Sequence, residues 1–222
     1  MDTVQRLVVL DMDSTFIKQE VIDLLAAAAG VGSEVAAITE RSMRGEIDFQ
    51  ESLAQRVALL KDLPIEVVDT VRSEITFSTG AERMVAVLHA LGHKVAVVSG
   101  GFEDVIGPIL EKAGVDFFRA NKLDFDGVKL NGKTTGAIID RTAKAAALKE
   151  FAEKLGIPLE HTVTVGDGAN DLEMMAISGL SIAFNAKPIV QEAAMVAIND
   201  GDLMGVLIHM GITEVEITRT GL

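Results

Sequence analysis

The sequence contains acidic, hydroxyl and amine side chains whose types suit one kind of chemistry, the transfer of a phosphoryl group. That reaction needs an oxygen nucleophile, a hard cation, donors for the phosphoryl oxygens and an acid for the leaving group. Aspartates can supply the nucleophile, the acid and hard oxygen ligands, which suit Mg²⁺ better than Zn²⁺ in a chain without cysteine. The residues concerned are Asp11, Asp13, Ser99, Gly100, Lys144, Asp167 and Asp171.

The neighbours of these residues suggest distinct roles. Ser99 and the two glycines after it precede a predicted helix, whose N-terminus favours a bound anion. Lys144 supplies a point charge that can neutralise a phosphate oxygen. Asp13 stands two residues from Asp11, and a carboxyl group beside a second anion has the raised pKa of a proton donor.

A parallel β-sheet would bring these side chains together, and the sequence predicts one. Short apolar runs rich in β-branched residues indicate buried strands, and the amphipathic runs between them indicate helices. This alternation predicts the α/β class, a doubly wound parallel sheet with helices on both faces. Ligands bind beyond the carboxyl ends of such strands, where the candidate residues lie. The predicted strands are 7–10, 94–98, 162–165, 180–184 and 196–198, and the predicted helices are 81–91, 102–113, 142–155 and 171–177.

Two segments interrupt the alternation and define the predicted domains. Residues 17–76 contain only helical patterns, such as those at 21–29, 49–60 and 65–75, which indicates a helical cap inserted after the first strand. Residues 119–136 contain Asp126-Gly127 and Asn131-Gly132, which are hairpin-turn signals, so a small β-hairpin flap is expected there. The catalytic core, a Rossmann-like fold, is then predicted to comprise residues 1–16 and 77–222.

The composition limits the classes of partner and location. A formal net charge of −13 argues against nucleic acid, because phosphate backbones are bound by clustered lysines and arginines. The apolar runs are far shorter than the roughly 20 residues of a membrane helix, and no signal peptide is recognisable. The absence of cysteine makes the cytoplasm the default location. We expect a cytoplasmic protein, monomeric or homodimeric, without membrane or nucleic-acid partners.

Each motif taken alone also has a purely structural explanation. An Asp-x-Asp pair is often a turn or a helix cap, and Ser-Gly-Gly after a strand is usually a tight turn. Asp167 and Asp171 can cap a helix, and Lys144 can be a solvated helix lysine. Their joint placement at successive strand ends favours a phosphoryl-transfer site over these separate explanations.

The same residues resemble the motifs of the haloacid dehalogenase superfamily of phosphatases. Asp11-Met12-Asp13-Ser14-Thr15 is similar to its first motif, Ser99 to the second and Lys144 to the third, while Asp167 and Asp171 resemble the fourth. The resemblance narrows to the phosphoserine phosphatase family and extends to about residue 211. The segments that carry it are 11–17, 39–46 with Phe49, 56–61, 97–102 and 166–171.

The resemblance implies a Mg²⁺-dependent hydrolase of O-phospho-L-serine, the last step of serine biosynthesis. It implies that Asp11 is the nucleophile, that it forms an aspartyl-phosphate and that it binds the metal. Asp13 would protonate the seryl oxygen, then activate water, and would bind the metal through its carbonyl group. Asp167 would be the remaining direct metal ligand, with Asp171 supporting the site.

The resemblance also implies the residues that bind the substrate. Ser99, Gly100 and Lys144 would hold the phosphoryl oxygens, and Asn170 would lie within reach of the substrate or metal. The cap would recognise the amino acid, since a carboxylate can hold an ammonium group and a planar guanidinium can grip a carboxylate. The cap residues implied are Glu20 for the ammonium group, Arg56 for the carboxylate, and Met43 and Phe49 for an apolar wall.

Three alternatives stay open at this point. The first is a related enzyme of the same superfamily that acts on another small phosphate or passes the phosphoryl group to an alcohol such as homoserine. The second is a receiver-like signalling domain, although there the phosphate-accepting aspartate lies on a later strand and no helical cap is inserted. The third is a binding protein with a decayed site, against which stands a competent residue at every candidate position.

Overall fold

A seven-stranded sheet forms the centre of the computed structural model, which describes residues 4–222. The strand order is β4-β3-β2-β1-β5-β6-β7, and all neighbours are parallel except β3 and β4. The α/β class predicted from the sequence is confirmed. The strands are β1 (Leu7–Leu10), β2 (Lys94–Phe102), β3 (Phe117–Phe125), β4 (Leu130–Thr135), β5 (Thr162–Gly166), β6 (Leu180–Phe184) and β7 (Val196–Ile198).

Helices cover both faces of the sheet, and the central strand β1 shows why, because it is apolar on both sides. Val8 and Leu10 of β1 belong to one buried cluster, and Leu7 and Val9 belong to a second cluster on the opposite face. A strand's side chains alternate between its two faces, so such a strand must be buried twice. The helices of the core are α5 (Ala81–Ala90), α6 (Glu103–Lys112), α7 (Arg141–Leu155), α8 (Leu172–Ile177), α9 (Pro188–Ala193), α10 (Gly205–His209) and α11 (Glu214–Arg219).

Four helices follow the first strand, in the segment predicted to be a cap: α1 (Val21–Ala29), α2 (Gly32–Met43), α3 (Phe49–Ala58) and α4 (Glu66–Glu74). The two ends of the segment meet, because Lys18 donates its backbone N–H to the Thr76 carbonyl at 3.0 Å. Helix α2 buries only Val35, which explains why its apolar pattern is faint in the sequence. The exact domain bounds stay a prediction.

The predicted hairpin is present, and it extends the main sheet through β3. Strand β3 pairs in parallel with β2 and antiparallel with β4. The turn is at Asp126-Gly127, where a carboxylate oxygen of Asp126 accepts from the amides of Val128 and Lys129 at 3.0 and 2.9 Å.

The interpretation of Asn131-Gly132 as a second turn signal is wrong, because both residues lie within β4. Gly132 has a φ of +72°, and a Cβ atom there would lie 2.9 Å from Cβ of Lys61 and 3.2 Å from the Ala58 carbonyl oxygen. The glycine is therefore needed for the close approach of the cap, where helix α3 ends.

The cap also contacts the sheet through backbone hydrogen bonds. Asp62 donates its N–H to the Leu130 carbonyl, the Leu130 N–H donates to Leu63, and the Ile65 N–H donates to Val128, each at 2.9 Å. Segment 62–65 thus lies along the free side of β4 like an added strand. Across residues 4–222, none of the helices has both the length and the apolar character that spanning a bilayer requires.

Candidate active site

The candidate site lies where β1, β2 and β5 end, beneath the cap. Leu10 is level with Val97 on one side and Val165 on the other, so the residues after these strands are brought to one edge of the sheet. A cavity of about 160 Å³ opens there. It is lined by Asp11, Asp13, Glu20, Ile22, Phe49, Leu53, Arg56, Gly100, Gly101, Phe102, Asp167, Gly168, Asn170 and Lys187.

A buried lysine joins two aspartates at the floor of this cavity. Lys144 Nζ lies 2.7 Å from Asp11 Oδ1 and 2.8 Å from Asp171 Oδ1, and Lys144 and Asp171 are fully buried. Burial acts to lower the pKa of Lys144, but the charges of Asp11 and Asp171 outweigh it and raise that pKa. Lys144 is therefore a fixed cation, and it reaches the site because Asp140 caps α7 by accepting from the Ala143 amide at 2.9 Å.

The Asp11 carboxylate is held at both of its oxygens. Oδ1 accepts from the Met12 amide at 2.7 Å as well as from Lys144, and Oδ2 accepts from Asn170 Nδ2 at 3.3 Å. Asp11 itself is only 4% exposed. These contacts fix the orientation of a carboxylate that faces the cavity, which is what a nucleophile at a strand end requires.

Asp13 differs from Asp11 in having an oxygen without a partner. After Asp11 the chain turns within Met12–Phe16, where Ser14 has a φ of +56° and the Ile17 N–H closes the turn by donating to the Met12 carbonyl at 3.0 Å. Asp13 Oδ1 is buried and has no hydrogen-bond partner among residues 4–222. Burial, and then the charges of Glu20 and Asp11, raise the pKa of Asp13 well above its ordinary value. A carboxyl group of this kind retains its proton and can donate it to a leaving oxygen.

Three carboxylates form a cluster that could hold a metal ion. One oxygen each of Asp11, Asp167 and Asp171 lies within 4.8 Å of the others. The oxygens of Asp171 are engaged by Lys144 and by the Gly168 amide at 3.1 Å, so this residue supports the site from behind. Burial and the charge of Asp11 raise the pKa of Asp171.

Asp167 is the cluster member best placed to bind a cation directly. It accepts one hydrogen bond, from Thr15 Oγ1 at 3.1 Å. Burial, and then the charges of Asp11 and Glu20, raise the pKa of Asp167 to about 6. The crowding of negative charge is relieved when a cation binds among these oxygens, so the donor set fits a hard metal ion.

The phosphate-binding segment predicted at 99–101 is a bulge in β2. Val98 pairs with Arg119 and Phe102 with Asn121, so β2 has more residues than β3 between the two pairs. Ser99 Oγ accepts from the Gly101 amide at 2.8 Å. A Cβ atom at Gly100 would lie 3.2 Å from Phe49 Cζ, and one at Gly101 would lie 3.2 Å from Asp13 Oδ2. Both glycines therefore allow close approach to the cavity, as is common for bulges at functional sites.

The cap contributes an acidic side chain (Glu20), a basic side chain (Arg56) and apolar side chains such as Phe49 to the same cavity. Glu20 accepts from Ser14 Oγ at 2.6 Å, and burial is the main reason that its pKa is raised. Burial lowers the pKa of the Arg56 guanidinium, while the nearby carboxylates of Asp23, Glu20 and Asp13 oppose that shift. Arg56 donates one hydrogen bond, from Nε to the Ser52 carbonyl at 3.3 Å, which leaves further donors for a ligand.

Most of the residues singled out from the sequence meet at this cavity, and one does not. Met43, expected in the apolar wall, is 68% exposed at the end of α2 and is not among the lining residues. Ile22 and Leu53 line the cavity beside Phe49 instead. Those that line it are Asp11, Asp13, Glu20, Phe49, Arg56, Gly100, Asp167 and Asn170, and those buried behind it are Ser99, Lys144 and Asp171.

Lys187 lines the cavity but was missed by sequence reasoning. It follows β6 and donates its backbone N–H to the Asp167 carbonyl at 3.1 Å. Its charge acts on Glu20, where it opposes the rise in pKa. The rule that ligands bind beyond strand ends, applied to the run 180–184, would have found it.

Comparison with known proteins places the chain among phosphatases. A family model described as haloacid dehalogenase-like hydrolase matches residues 5–179. Phosphoserine phosphatase of Streptococcus thermophilus is 46% identical over 93% of this chain and 96% of its own length. Phosphoserine phosphatase of Streptomyces coelicolor is 51% identical over 96% of this chain, which spans only 52% of that relative.

Solved structures give the same result. A phospho-aspartyl intermediate analogue of phosphoserine phosphatase superposes with a TM-score of 0.87, 44% identity, and coverage of 93% of this chain and 99% of the other. A substrate-bound phosphoserine phosphatase superposes with a TM-score of 0.88, at 44% identity over 94% and 99% of the two chains. The chain therefore belongs to the haloacid dehalogenase-like hydrolases and, among them, to the phosphoserine phosphatase family.

Proposed function

We propose that the protein hydrolyses O-phospho-L-serine to L-serine and phosphate, the last step of serine biosynthesis. One observation carries the proposal: a single small cavity contains the Asp11 carboxylate, the Asp13 carboxyl group, whose buried Oδ1 has no partner in the described part of the chain, and both Glu20 and Arg56. At about 160 Å³ the cavity is well below the roughly 300–1,000 Å³ of pockets for drug-sized molecules, which favours a small substrate.

The cap residues would select the amino acid. Within residues 4–222 Arg56 uses only its Nε–H, so its other guanidinium N–H groups would bind the substrate carboxylate, while Glu20 would bind its ammonium group. Both lie in a partly buried environment, where charge-assisted hydrogen bonds are stronger than in water. A phosphate ester that lacks either group would lose one of these contacts.

The phosphoryl group would be transferred in two steps. First, an oxygen of Asp11 attacks phosphorus, the bond from phosphorus to the seryl oxygen breaks, and Asp13 gives its proton to that oxygen. Then a water molecule attacks the phosphorus of the aspartyl-phosphate, Asp13 takes a proton from that water, and Asp11 is released as a carboxylate. Asp13 is suited to both proton transfers because its raised pKa lets it hold and return a proton.

The remaining residues would hold the phosphoryl oxygens and the charge. Lys144 keeps a positive charge beside Asp11, and Ser99 with the Gly100 backbone would face the phosphoryl oxygens from the bulge. Asp11, Asp167 and the Asp13 carbonyl group would hold Mg²⁺, with Asp171 in support. When bound, that ion supplies positive charge that offsets the charge of the phosphoryl oxygens and of Asp11.

A substrate panel tests the proposal. Purified protein with Mg²⁺ is expected to release phosphate from L-phosphoserine much faster than from sugar phosphates or nucleotides, and EDTA is expected to abolish release. Equal rates across the panel would contradict the substrate assignment. Homoserine added as an acceptor separates hydrolysis from phosphotransfer, since a transferase forms phosphohomoserine in place of free phosphate. The cytoplasmic location and the monomeric or homodimeric state stay predictions.

A further inference from the structure

Asn121 is a buried polar residue that the proposed mechanism does not use. It lies on β3 and is only 1% exposed. Its Nδ2 donates to the Gly100 carbonyl at 2.8 Å, and its Oδ1 accepts from the Ile139 amide at 2.8 Å. A side-chain amide with a donor and an acceptor on opposite atoms fits these two backbone groups, whereas Asp or Leu fits at most one of them.

The bulge explains why a side chain is needed at this place. Regular pairing of β2 with β3 is interrupted between Val98 and Phe102, so the backbone groups of segment 99–101 leave the ladder. The Gly100 carbonyl is partly buried, so a polar group that has left the ladder there is stabilised by a new donor. Asn121, which pairs with Phe102 at the end of the bulge, supplies that donor from the neighbouring strand.

The second contact reaches the start of the helix that carries Lys144. Ile139 immediately precedes Asp140, the residue that caps α7. The backbone N–H of Lys144 in turn donates to the Asp140 carbonyl at 2.9 Å. One side chain therefore connects the Gly100 segment (residues 99–101) with the start of α7, two elements that would hold the phosphoryl group from different parts of the fold in the proposed mechanism.

We propose that Asn121 is a positioning residue. It sets the distance between the backbone of residues 99–101 and Lys144, and so aligns the groups that donate to the phosphoryl oxygens. The inference rests on the proposed function for its reaction, but its geometry is independent of which phosphate ester is bound. A displacement of about 1 Å in such a group can reduce the rate by about 100-fold.

Three substitutions separate positioning from general stability. Asn121→Asp keeps an acceptor for the Ile139 amide. It removes the donor to the Gly100 carbonyl and places a carboxylate oxygen, itself an acceptor, against that carbonyl. Asn121→Leu keeps the branched shape of the side chain, although it is larger, and removes both contacts, and Asn121→Ser removes both while leaving room for water. The matched control is Ser181→Ala on β6, which removes a buried acceptor from the Met195 amide (3.1 Å) away from the cavity.

The first readout is steady-state turnover of L-phosphoserine with Mg²⁺. All three Asn121 variants are expected to lose about 100-fold in kcat with KM within a few-fold of the original, because Glu20 and Arg56 still hold the amino acid. Ser181→Ala is expected to keep its kcat despite a comparable fall in Tm. Unchanged kcat in Asn121→Asp, or an equal loss in the control, would overturn the inference. Failure of all three variants to fold while the control folds would also overturn it in favour of a structural role.

The second readout does not depend on phosphoserine. Amide hydrogen exchange at Ile139 is expected to accelerate in Asn121→Leu and Asn121→Ser, which remove its acceptor, and exchange at Gly101, whose N–H shares a peptide with the Gly100 carbonyl, is expected to accelerate in all three variants. The affinity for inorganic phosphate with Mg²⁺ is expected to weaken about tenfold or more. If the unaltered protein does not hydrolyse phosphoserine, the proposed function fails, and these two measurements still decide the role of Asn121. Unchanged exchange and phosphate affinity would then reject it.

Discussion

Lys144 Nζ lies 2.7 Å from Asp11 Oδ1 and 2.8 Å from Asp171 Oδ1, so one buried ammonium group is shared by two carboxylates. This arrangement ties the stability of the fold to the chemistry of the site, because a buried ammonium group and the carboxyl groups beside it depend on one another. Removing the cation leaves two neighbouring carboxyl groups without their partner, with oxygens within 4.8 Å of each other, and the cost of an uncompensated buried charge is about 3–5 kcal/mol.

Replacing Lys144 is therefore expected to reduce both stability and activity, and a second substitution can separate the two. Lys144→Met should lower the free energy of unfolding by about 3–5 kcal/mol and kcat by about 100- to 1,000-fold. Adding Asp171→Asn removes one stranded charge while keeping an acceptor for the Gly168 amide. Urea unfolding should show that the double variant recovers much of the stability, with kcat still low. Recovery of activity together with stability would mean that Lys144 acts only on the fold.

Asp13→Asn is expected to lower the activity and raise the stability of the protein. The amide cannot transfer a proton, so kcat should fall by about 100- to 10,000-fold. The substitution also removes a buried carboxyl group that faces the charges of Glu20 and Asp11 and whose Oδ1 has no partner within residues 4–222, so Tm of the metal-free protein should rise. A variant that is inactive and also less stable would argue that the Asp13 carboxylate supports the fold.

The same residue predicts a pH dependence of stability in EDTA-treated protein. The pKa of Asp13 is raised in the folded state, so the unfolded chain loses its proton first as the pH increases. Stability should therefore fall as the pH rises from the ordinary value near 4 towards the raised one. Urea unfolding between pH 4 and pH 8 measures this decline, which should be smaller in Asp13→Asn. An identical pH profile in the variant would show that Asp13 titrates normally.

Arg56 and Glu20 are expected to recognise different ends of the amino acid. Arg56→Met should reduce kcat/KM for phosphoserine by about 10- to 100-fold, since a charged hydrogen bond contributes about 1.5–3 kcal/mol. It should leave O-phosphoethanolamine, which lacks the carboxylate, almost unchanged. Glu20→Gln should reduce phosphoserine turnover but spare the phosphate ester of 3-hydroxypropionate, which lacks the ammonium group. If each variant reduces kcat/KM equally for all substrates, Arg56 and Glu20 support the structure of the cap and do not recognise the substrate's carboxylate and ammonium groups.

Lys187 is expected to attract the anionic substrate to a cavity that several carboxylates line. Lys187→Met should lower kcat/KM more than kcat, and the dependence of kcat/KM on salt should become shallower, because electrostatic attraction is screened by ions. Lys149→Met is the matched control, since Lys149 is exposed on α7 and is not among the lining residues. Equal salt dependence of kcat/KM in the two variants would show that Lys187 does not attract the substrate.

The sequence predicted the sheet and the acidic edge because these depend on local patterns. The runs at 7–10, 162–165 and 180–184 are short and rich in apolar residues, and each became an interior strand of the sheet with little change of bounds. The bulge after Val98 could not be foreseen, since it depends on how β2 pairs with a strand that follows it by several turns of helix. The role proposed for Asn121 could not be predicted for the same reason, because it depends on hydrogen bonds to two backbone groups that are distant in the sequence.

The cap residues show the limit of the resemblance. Glu20 and Arg56 line the cavity, and their roles stay proposals. Met43 lies at the last position of α2, a helix that buries little, and its side chain is mostly exposed. The amphipathic pattern of α2 gave no indication of the direction in which its C-terminal end would face, since that direction is set by the packing of the neighbouring helices.

The pairing of segment 62–65 with β4 also covers an edge of the sheet that could otherwise pair with another molecule. An edge strand presents unpaired N–H and C=O groups to other chains, and such edges are sites of intermolecular association. Here the Leu130 N–H and carbonyl group are both taken by the cap, and Gly132 lets the end of α3 approach closely. The segment inserted after the first strand thus serves as an edge cover as well as a roof over the cavity. A core from which it was deleted would expose a strand ready to join a second molecule, and aggregation would precede any loss of substrate selection.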